Sequence, residues 1–160
     1  MSTAVICVGR LKEKPFRQMA DEYLRRLGRF GKIEEIEIPD LPEPAGSRTA
    51  ALEEQIRLRE GEGILRALHP GDRVIALTIP GRARDSEELA ERIRELRVRG
   101  AGRIVFVIGG SLGLGRNVLD RADEEMSMSR MTFPHQLARV MLLEQLYRAE
   151  KIIAGERYHK

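Results

Sequence analysis

Hydrophobic and polar residues alternate along this chain in segments of two kinds, and their order predicts the fold. Continuous apolar runs of five residues, at 4–8 and 104–108, are typical of strands buried on both faces. Elsewhere apolar residues recur every three to four positions, as over residues 16–29, which is the period of an amphipathic helix. Strands that alternate with helices predict an α/β fold, with a mostly parallel sheet, helices on both faces and right-handed crossovers.

Turn residues set the boundaries of the predicted strands. Residues 33–38 alternate apolar and acidic side chains, which predicts a half-exposed edge strand. The strand over residues 72–79 is expected to end at the pair Pro80 and Gly81. The predicted strands are 4–8, 33–38, 72–79, 104–108 and 126–131, with a loop marked by Pro39, Pro42 and Pro44 after the second.

Capping residues and glycines set the boundaries of the predicted helices. Asp85 is a favoured N-cap residue, and acidic side chains follow it in the first turn. A long charged helix is expected to be interrupted at the pair Gly61 and Gly63. Pro134 suits the start of the last helix, because an N–H group in the first turn has no helical partner. The predicted helices are 16–29, 48–68, 86–99, 117–122 and 134–153.

Composition narrows the class of protein. With 42% hydrophobic and 33% charged residues, the chain has the composition of a soluble globular protein, and its length suits one domain over residues 1–160. The sequence has neither an apolar run of ~20 residues nor the pattern of a secretory signal, so we expect a cytoplasmic protein with no membrane contact.

The charge balance points to a partner. The formal net charge is +3, with 23 arginines against five lysines. Arginine binds phosphates bidentately and stacks on bases, so nucleic acid is a candidate partner. Ion pairs on the surface would give the same residue counts, and the two interpretations stay open at this point.

The histidines and the cysteine argue against two kinds of chemistry. His69, His135 and His159 lie far apart and lack the spacing of metal ligands, so no metal site is predicted. Cys7 lies in an apolar run, with no second cysteine in the chain and no histidine nearby in sequence. We therefore expect a small buried side chain and not a nucleophile.

A loop with four glycines, at residues 109–115, follows the apolar strand over 104–108. Glycines let backbone N–H groups approach a ligand, and ligands of open α/β sheets bind at the carboxyl ends of strands. The spacing does not match the dinucleotide fingerprint. It matches the glycines of a phosphate-binding P-loop, but Arg116 and Asn117 stand in place of the lysine and the hydroxyl residue. A nucleotide hydrolase is thus one alternative function.

Further motifs follow this loop in a specific order. Residues 104–160 contain Ile108-Gly109-Gly110 with Gly113, Met128-Ser129-Arg130-Met131-Thr132-Phe133-Pro134-His135, Arg139-Val140, Glu144-Gln145-Leu146-Tyr147-Arg148-Ala149 and Tyr158-His159-Lys160. With Leu77-Thr78-Ile79-Pro80-Gly81 before them, they resemble the RlmH family, small SPOUT-class methyltransferases that modify N3 of a pseudouridine in 23S ribosomal RNA. The chain departs from this family at Ser111-Leu112 and Arg157, where relatives often carry a proline.

The resemblance implies a fold, a cofactor and partners. It implies a carboxyl-terminal trefoil knot in a SPOUT-like α/β domain, with S-adenosylmethionine bound in a bent conformation in the knot. It further implies a homodimer that acts on ribosomal RNA, and we expect assembled ribosomes as the substrate. Transferred residue by residue, the cofactor-binding positions are Leu77, Gly109, Met128, Ser129, Arg130, Met131, Thr132 and Phe133.

Candidate catalytic residues lie in the last helix and the tail. The proton on N3 of a uracil-type base must leave, so a base or a positive environment would help. His135, Tyr158 and His159 are the candidate bases, and Arg139 and Arg148 could hold phosphates or stabilise negative charge. The plainer alternatives are a helix cap for His135, a pair between Arg148 and Glu144, and a disordered tail. A non-enzymatic alternative is a ribosome-associated RNA-binding factor that has kept the fold.

Overall fold

The computed structural model describes residues 2–43, 45–46 and 48–160, which form one sheet between two layers of helices. Pro44, one of the loop prolines predicted above, lies outside the described residues. The strands are β1 (Ser2–Val8), β2 (Lys32–Ile38), β3 (Asp72–Ala83), β4 (Arg103–Ile108) and β5 (Glu124–Ser127), and the helices are α1 (Lys14–Leu27), α2 (Ala50–Ala67), α3 (Ser86–Val98), α4 (Arg116–Arg121) and α5 (His135–Ile153).

The described sheet has the order β2-β1-β4-β3-β5, and all of its strand pairs are parallel. This confirms the predicted α/β class. β2 lies at an edge and is half-buried along most of its length, as its alternating pattern predicts. β4 is buried at every residue, which agrees with its continuous apolar run. The carboxyl ends of the strands therefore meet along one edge of the sheet.

Alternate side chains of the central strands pack on opposite faces. Val5 and Phe106 belong to a core that includes residues of α1, α3 and α5. Val105 and Val107 belong to a second core with residues of α2 and α4. Helices thus cover both faces, as predicted. Cys7 is buried in the first core, and burial raises the pKa of its thiol to about 12, so the thiol stays protonated at neutral pH.

The predicted break in the second helix is wrong, because α2 continues through both glycines. A Cβ atom on Gly61 would overlap the side-chain amide of Asn117, and one on Gly63 would lie 2.5 Å from Cγ2 of Ile38. The two glycines therefore serve the close approach of α4 and β2 to α2. The α-helical backbone tolerates them, since glycine weakens a helix by only ~1 kcal/mol relative to alanine.

The predicted end of the third strand is also wrong, because β3 continues past Pro80 and Gly81. Leu77 and Arg82 both pair with Met126 of β5, so the four residues between them bulge out of the ladder. A Cβ atom on Gly81 would lie 2.7 Å from the Met126 backbone, which explains why glycine stands at this position. A proline is tolerated there because the bulge removes it from regular pairing.

The fifth strand is shorter than predicted and ends at Ser127, not at residue 131. Local hydrogen bonds replace the ladder beyond it: Ser127 Oγ donates to the Ser129 carbonyl at 2.9 Å, and Met131 N donates to Ser129 Oγ at 3.0 Å. Serine side chains that bond to nearby backbone compete with sheet pairing in this way. Residues 128–133 are consequently a loop between β5 and α5.

Both helix starts singled out from the sequence are observed. Asp85 forms a capping box with Glu88: Asp85 accepts from Glu88 N at 2.7 Å, and Glu88 accepts from Asp85 N at 2.9 Å. Pro134 is the N-cap of α5, one position before the first helical residue. Its carbonyl accepts the first helical bond, from Ala138 N at 2.9 Å.

Candidate active site

A cavity of about 920 Å³ opens at the carboxyl edge of the sheet. Its walls come from the end of β3, the loop after β4, the loop after β5 and the first turn of α5. A cavity of this size suits a ligand of nucleoside dimensions. Of the residues that sequence analysis singled out, the following line it: Leu77, Gly109, Met128, Ser129, Met131, Thr132, Phe133 and His135.

The glycine loop presents backbone to this cavity. Gly110 and Gly113 form an isolated bridge, and Gly113, at φ +83°, donates its N–H to the Gly110 carbonyl at 3.1 Å. A Cβ atom on Gly109 would lie 2.7 Å from the Gly113 carbonyl carbon. The strand and the returning loop therefore pack backbone against backbone, a contact that only glycine at position 109 permits.

The bulge of β3 includes a buried, unsatisfied polar group in a residue that lines the cavity. Thr78 lines it, and Oγ1 of this threonine is buried without a hydrogen-bond partner in the described part of the chain. Leaving a buried hydroxyl unpaired costs roughly 1–3 kcal/mol. Large apolar side chains on the rim are exposed, with Ile79 at 50% and Met131 at 72% of their full accessible surface. These features are typical of a surface that a ligand or partner covers.

The P-loop alternative finds no support in this geometry. Arg116 pairs with Asp120 at 2.9 Å, and its side chain is 76% exposed. The Asn117 amide donates to the Leu58 carbonyl at 3.0 Å, which fixes α4 on α2. Neither residue is among those that line the cavity. The glycine spacing thus occurs without the two side chains that a P-loop would direct at a phosphate and its metal.

His135 lies where the cavity meets the end of β1. Its Nε2 atom is 3.8 Å from the position that a Cβ on Gly9 would occupy, and Asp40 borders the same position at 3.9 Å. Arg139, one helical turn later, does not line the cavity. It is 1% exposed and donates from Nη2 to the Gly9 carbonyl at 2.8 Å.

Carboxylates on β2 neutralise the buried Arg139. Its Nη1 atom lies 3.3 Å from Glu37 Oε1 and 3.6 Å from Glu35 Oε2. Arg17 of α1 bonds to the same two carboxylates, at 2.7 Å to Glu35 and 3.2 Å to Glu37. This cluster connects α1, β2 and α5 directly beneath Gly9, and it positions the backbone beside His135.

The tail packs on its own α5 and not in the cavity. The Tyr158 ring contacts the Tyr147 ring, with centroids 4.9 Å apart, and the phenol donates to Glu144 Oε1 at 3.1 Å. Burial, together with the Glu144 carboxylate, raises the pKa of Tyr158 to about 12. In this arrangement the phenol is protonated at neutral pH and cannot serve as a base.

His159 belongs to the same end of α5. Its Nδ1 atom lies 3.4 Å from Arg148 Nη1, and Nε2 lies 3.8 Å from Glu87. Arg148 also pairs with Glu144 at 2.6 Å, the alternative considered from sequence. At 1.5 Å per residue, Glu144 is roughly 14 Å along the helix from His135. Within one chain, the structure does not bring Tyr158 and His159 to the cavity.

Several residues that line the cavity were not among the predicted site residues. Thr78 and Ile79 follow Leu77 directly, and their place at the end of a strand was the available signal. Arg57 of α2 and Glu125 of β5 had no such signal, because the fold alone brings them to the cavity. Arg130, a predicted cofactor residue, lies in the 128–133 loop but does not line the cavity.

Two further findings concern metals and membranes. Among the residues that the structure describes, no group of three His, Cys, Asp or Glu side chains could hold a metal ion. No helix in these same ranges is long and apolar enough to cross a bilayer.

Comparison with known proteins matches residues 1–159 to the family model described as "Predicted SPOUT methyltransferase". The chain is 50% identical to a ribosomal RNA large subunit methyltransferase H of Alkaliphilus oremlandii, 49% to that of Bifidobacterium animalis and 46% to that of Shouchella clausii, with 100% of each chain covered. A solved structure of a probable methyltransferase from Bordetella pertussis shares the fold, at a TM-score of 0.54 and 19% identity, over 93% of this chain and 95% of that chain.

Proposed function

The chain belongs to the SPOUT methyltransferase family, within the group of large-subunit ribosomal RNA methyltransferases H, and we propose that it methylates N3 of a pseudouridine in that RNA. S-adenosylmethionine is the proposed methyl donor. One observation carries the proposal: three segments far apart in sequence, which contain the predicted cofactor positions Leu77, Gly109 and 128–133, converge on one cavity.

The residues of this cavity fit the proposed cofactor. Adenine needs an apolar slot, and Leu77, Met128 and Phe133 provide apolar walls. Gly113 lines the cavity with nothing in the described part of the chain within 4 Å of the place where a Cβ atom would stand, which leaves bare backbone for a ribose. The unpaired Thr78 hydroxyl supplies a polar group for a ligand atom.

Chemistry at this site requires alignment and removal of a proton. When bound, S-adenosylmethionine supplies an electrophilic methyl group on a sulfonium. The apolar rim around Ile79 and Met131 excludes water once RNA covers it, which favours an in-line displacement. Of the predicted bases, His135 is the one that lines the cavity, and we assign to it the removal of the N3 proton. Arg139 acts as a positioning residue, through the Gly9 carbonyl.

The tail takes part from a second subunit in this proposal. Tyr158 and His159 pack beside Glu144 and Arg148, roughly 14 Å or more along α5 from His135, so a homodimer is the arrangement that would bring them to a cavity. The exposed Met19 and Val98 are apolar surface available for such an interface. The Tyr158 hydroxyl and the His159 ring would then contact the target nucleotide in the partner's cavity.

Several finer properties belong to the same proposal. They are the carboxyl-terminal trefoil knot around the cofactor, a single domain over residues 1–160, the assembled ribosome as substrate and, since ribosomes are the substrate, a cytoplasmic location. The family membership supports each of them. The RNA-binding factor without catalysis remains the competing function, and it predicts no affinity for S-adenosylmethionine.

The decisive experiment uses methyl-labelled S-adenosylmethionine and ribosomes from cells that lack the modification. The purified protein should transfer label to large-subunit RNA, and mass mapping should locate it on N3 of one pseudouridine. Calorimetry should detect binding of the cofactor to the protein alone. Cofactor binding without transfer to RNA would refute the proposed substrate, and absence of cofactor binding would favour the non-enzymatic alternative.

A further inference from the structure

The loop between β1 and α1, residues 9–13, carries cations that the chain does not neutralise. Arg10 and Lys12 in this loop, and Lys14 at the first position of α1, are all exposed. None of the three forms an ion pair with a carboxylate in the described part of the chain. Elsewhere arginines commonly pair within a helix, as Arg25 does with Glu22 at 2.8 Å. The positive charge of this loop is therefore available to an external anion.

The same loop is held rigidly at its start. Gly9, at φ +90°, donates its N–H to the Ile38 carbonyl at 2.7 Å and accepts from the buried Arg139 at 2.8 Å. Leu11 is only 7% exposed and packs in the core. Arg10 and Lys12 flank this buried leucine. The backbone of this loop therefore has little conformational entropy to lose on binding, so less of the favourable interaction between its charges and an anion is offset by ordering.

The loop also borders the candidate active site. Gly9 is adjacent to His135, and His135 lines the cavity. The cations that follow Gly9 thus stand beside the cavity, on the side formed by α5. Two exposed carboxylates lie nearby, Glu13 within the loop and Asp40 beside Gly9, so the segment remains net positive with three cations. Asp40 repels an anion from the base of the loop and favours contact further out.

We propose that Arg10, Lys12 and Lys14 bind backbone phosphates of the ribosomal RNA strand next to the nucleotide that enters the cavity. This inference rests on the proposed function, since it assigns the RNA-contacting surface of the same site. Contacts with phosphates carry no sequence information but fix the register of a nucleic acid. The loop therefore orients the strand, while the cavity receives the base.

The dependence of binding on salt tests this proposal. The variant Arg10→Gln, Lys12→Gln, Lys14→Gln is titrated with unmodified 70S ribosomes between about 50 and 200 mM salt, and the slope of log K against log salt is compared with wild type. Each lost phosphate contact reduces the slope by about 0.7–0.9. We expect a slope smaller by about two to three and, at the lower salt, binding weaker by at least about tenfold. Affinity for S-adenosylmethionine should not change.

The matched control removes the same charge elsewhere. Arg59, Arg66 and Arg99 are also exposed and without ion pairs in the described part of the chain, but they lie on α2 and after α3. The variant Arg59→Gln, Arg66→Gln, Arg99→Gln should keep the wild-type slope. Equal slopes for the loop variant and wild type, or equal losses in both variants, would overturn the proposal. Absence of cofactor binding by the wild type would instead refute the proposed function, which the salt slope does not measure.

Discussion

The two edges of the sheet differ in whether their polar groups have partners within the chain. At the amino edge, the buried Arg103 donates to both carboxylate oxygens of Asp72, at 2.9 and 2.6 Å, to Glu34 at 3.2 Å and to the Ala67 carbonyl at 3.0 Å. Asp72 also accepts from the backbone of His69 at 2.7 Å. The polar groups of this network thus find their hydrogen-bond partners within the chain, and a network of this kind stabilises the fold.

At the carboxyl edge, several polar groups lack partners in the part of the chain that the structure describes, and large apolar side chains are exposed. The Thr78 hydroxyl is buried without a partner, Ile79 and Met131 are exposed, and the cations that begin at Arg10 have no carboxylate partners in the described residues. Glycines there bring backbone to the surface of a cavity. Stability and function are therefore separated along the strands. We expect changes at the amino edge to affect folding and changes at the carboxyl edge to affect binding.

The largest effect is expected from Asp72→Asn at the amino edge. The variant leaves the buried Arg103 guanidinium without its bidentate partner, and breaking such a pair costs about 3–5 kcal/mol. Urea denaturation should show that loss in the free energy of unfolding. Affinity for S-adenosylmethionine, measured where the variant is folded, should remain that of wild type, and a parallel loss of affinity would break the separation of the two edges.

Gly109→Ala should have the opposite effect, lowering affinity for the cofactor more than the free energy of unfolding. A Cβ atom there would meet the Gly113 backbone at 2.7 Å, so the glycine loop must move and the cavity changes shape. We expect affinity for the cofactor and methyl transfer to fall by roughly a hundredfold, about 2.7 kcal/mol. Gly71→Ala, at the amino edge with nothing within 4 Å of the added atom, is the matched control and should bind normally. Normal transfer by Gly109→Ala would contradict the proposed cofactor site.

Deletion of residues 158–160 addresses the role of the tail. Cofactor binding should be retained, because the tail does not line the cavity of its own chain. Turnover on ribosomes should fall by roughly tenfold to a hundredfold, because Tyr158 and His159 would no longer align the target nucleotide in the partner's cavity. Mixing the deleted chain with a Gly109→Ala chain should restore part of the activity, because a mixed dimer combines the intact cavity of one subunit with the intact tail of the other. Full activity of the deleted chain alone would remove the tail from the mechanism.

Thr78→Val is a smaller and more selective change. Valine has nearly the same shape and removes the unpaired hydroxyl, so the free energy of unfolding should stay constant or rise by about 1 kcal/mol. Affinity for S-adenosylmethionine should nevertheless fall by about tenfold, through loss of one hydrogen bond. Thr78→Ser should retain the affinity. Equal affinity in Thr78→Val and wild type would show that the hydroxyl meets no cofactor atom.

The smallest expected effect is a change in the stability of the protein at acidic pH. Burial opposes the charge of Asp72, but hydrogen bonds from Arg103 and from the His69 backbone outweigh it and lower the pKa of Asp72 below its ordinary value of 3.8. A lowered pKa contributes stability above pH 3.8 that is lost as the pH falls through the folded-state value. The stability difference between wild type and Asp72→Asn should therefore shrink below about pH 3.8. A constant difference down to pH 2 would contradict this.

The parts of the fold that local patterns determine were predictable. The apolar run of β4, the edge position of β2 and the capping box at Asp85 follow from burial, alternation and side-chain chemistry, and the structure confirms them. The errors at Gly61, Pro80 and residue 128 have two causes. Each residue's conformation depends on a neighbour distant in sequence or on a local serine bond, which periodicity does not report.

The candidate site was predictable to a similar extent. Motif resemblance located Leu77, Gly109 and the 128–133 loop, and all of these residues except Arg130 line one cavity. It could not place Arg139 beneath Gly9, since that contact joins residues 130 positions apart. The cations from Arg10 to Lys14 gave no signal in the sequence either, because only the pairing of the other charges distinguishes them.

The proposed binding of S-adenosylmethionine in the carboxyl-edge cavity is tested by titrating the isotope-labelled protein with this cofactor and recording amide NMR spectra. We expect the amide resonances of Leu77, Gly109 and residues 128–133 to shift, with no shift at Asp72 or Arg103 of the amino edge. If saturating cofactor left the first group unmoved, or shifted the amino edge instead, binding in this cavity would be refuted.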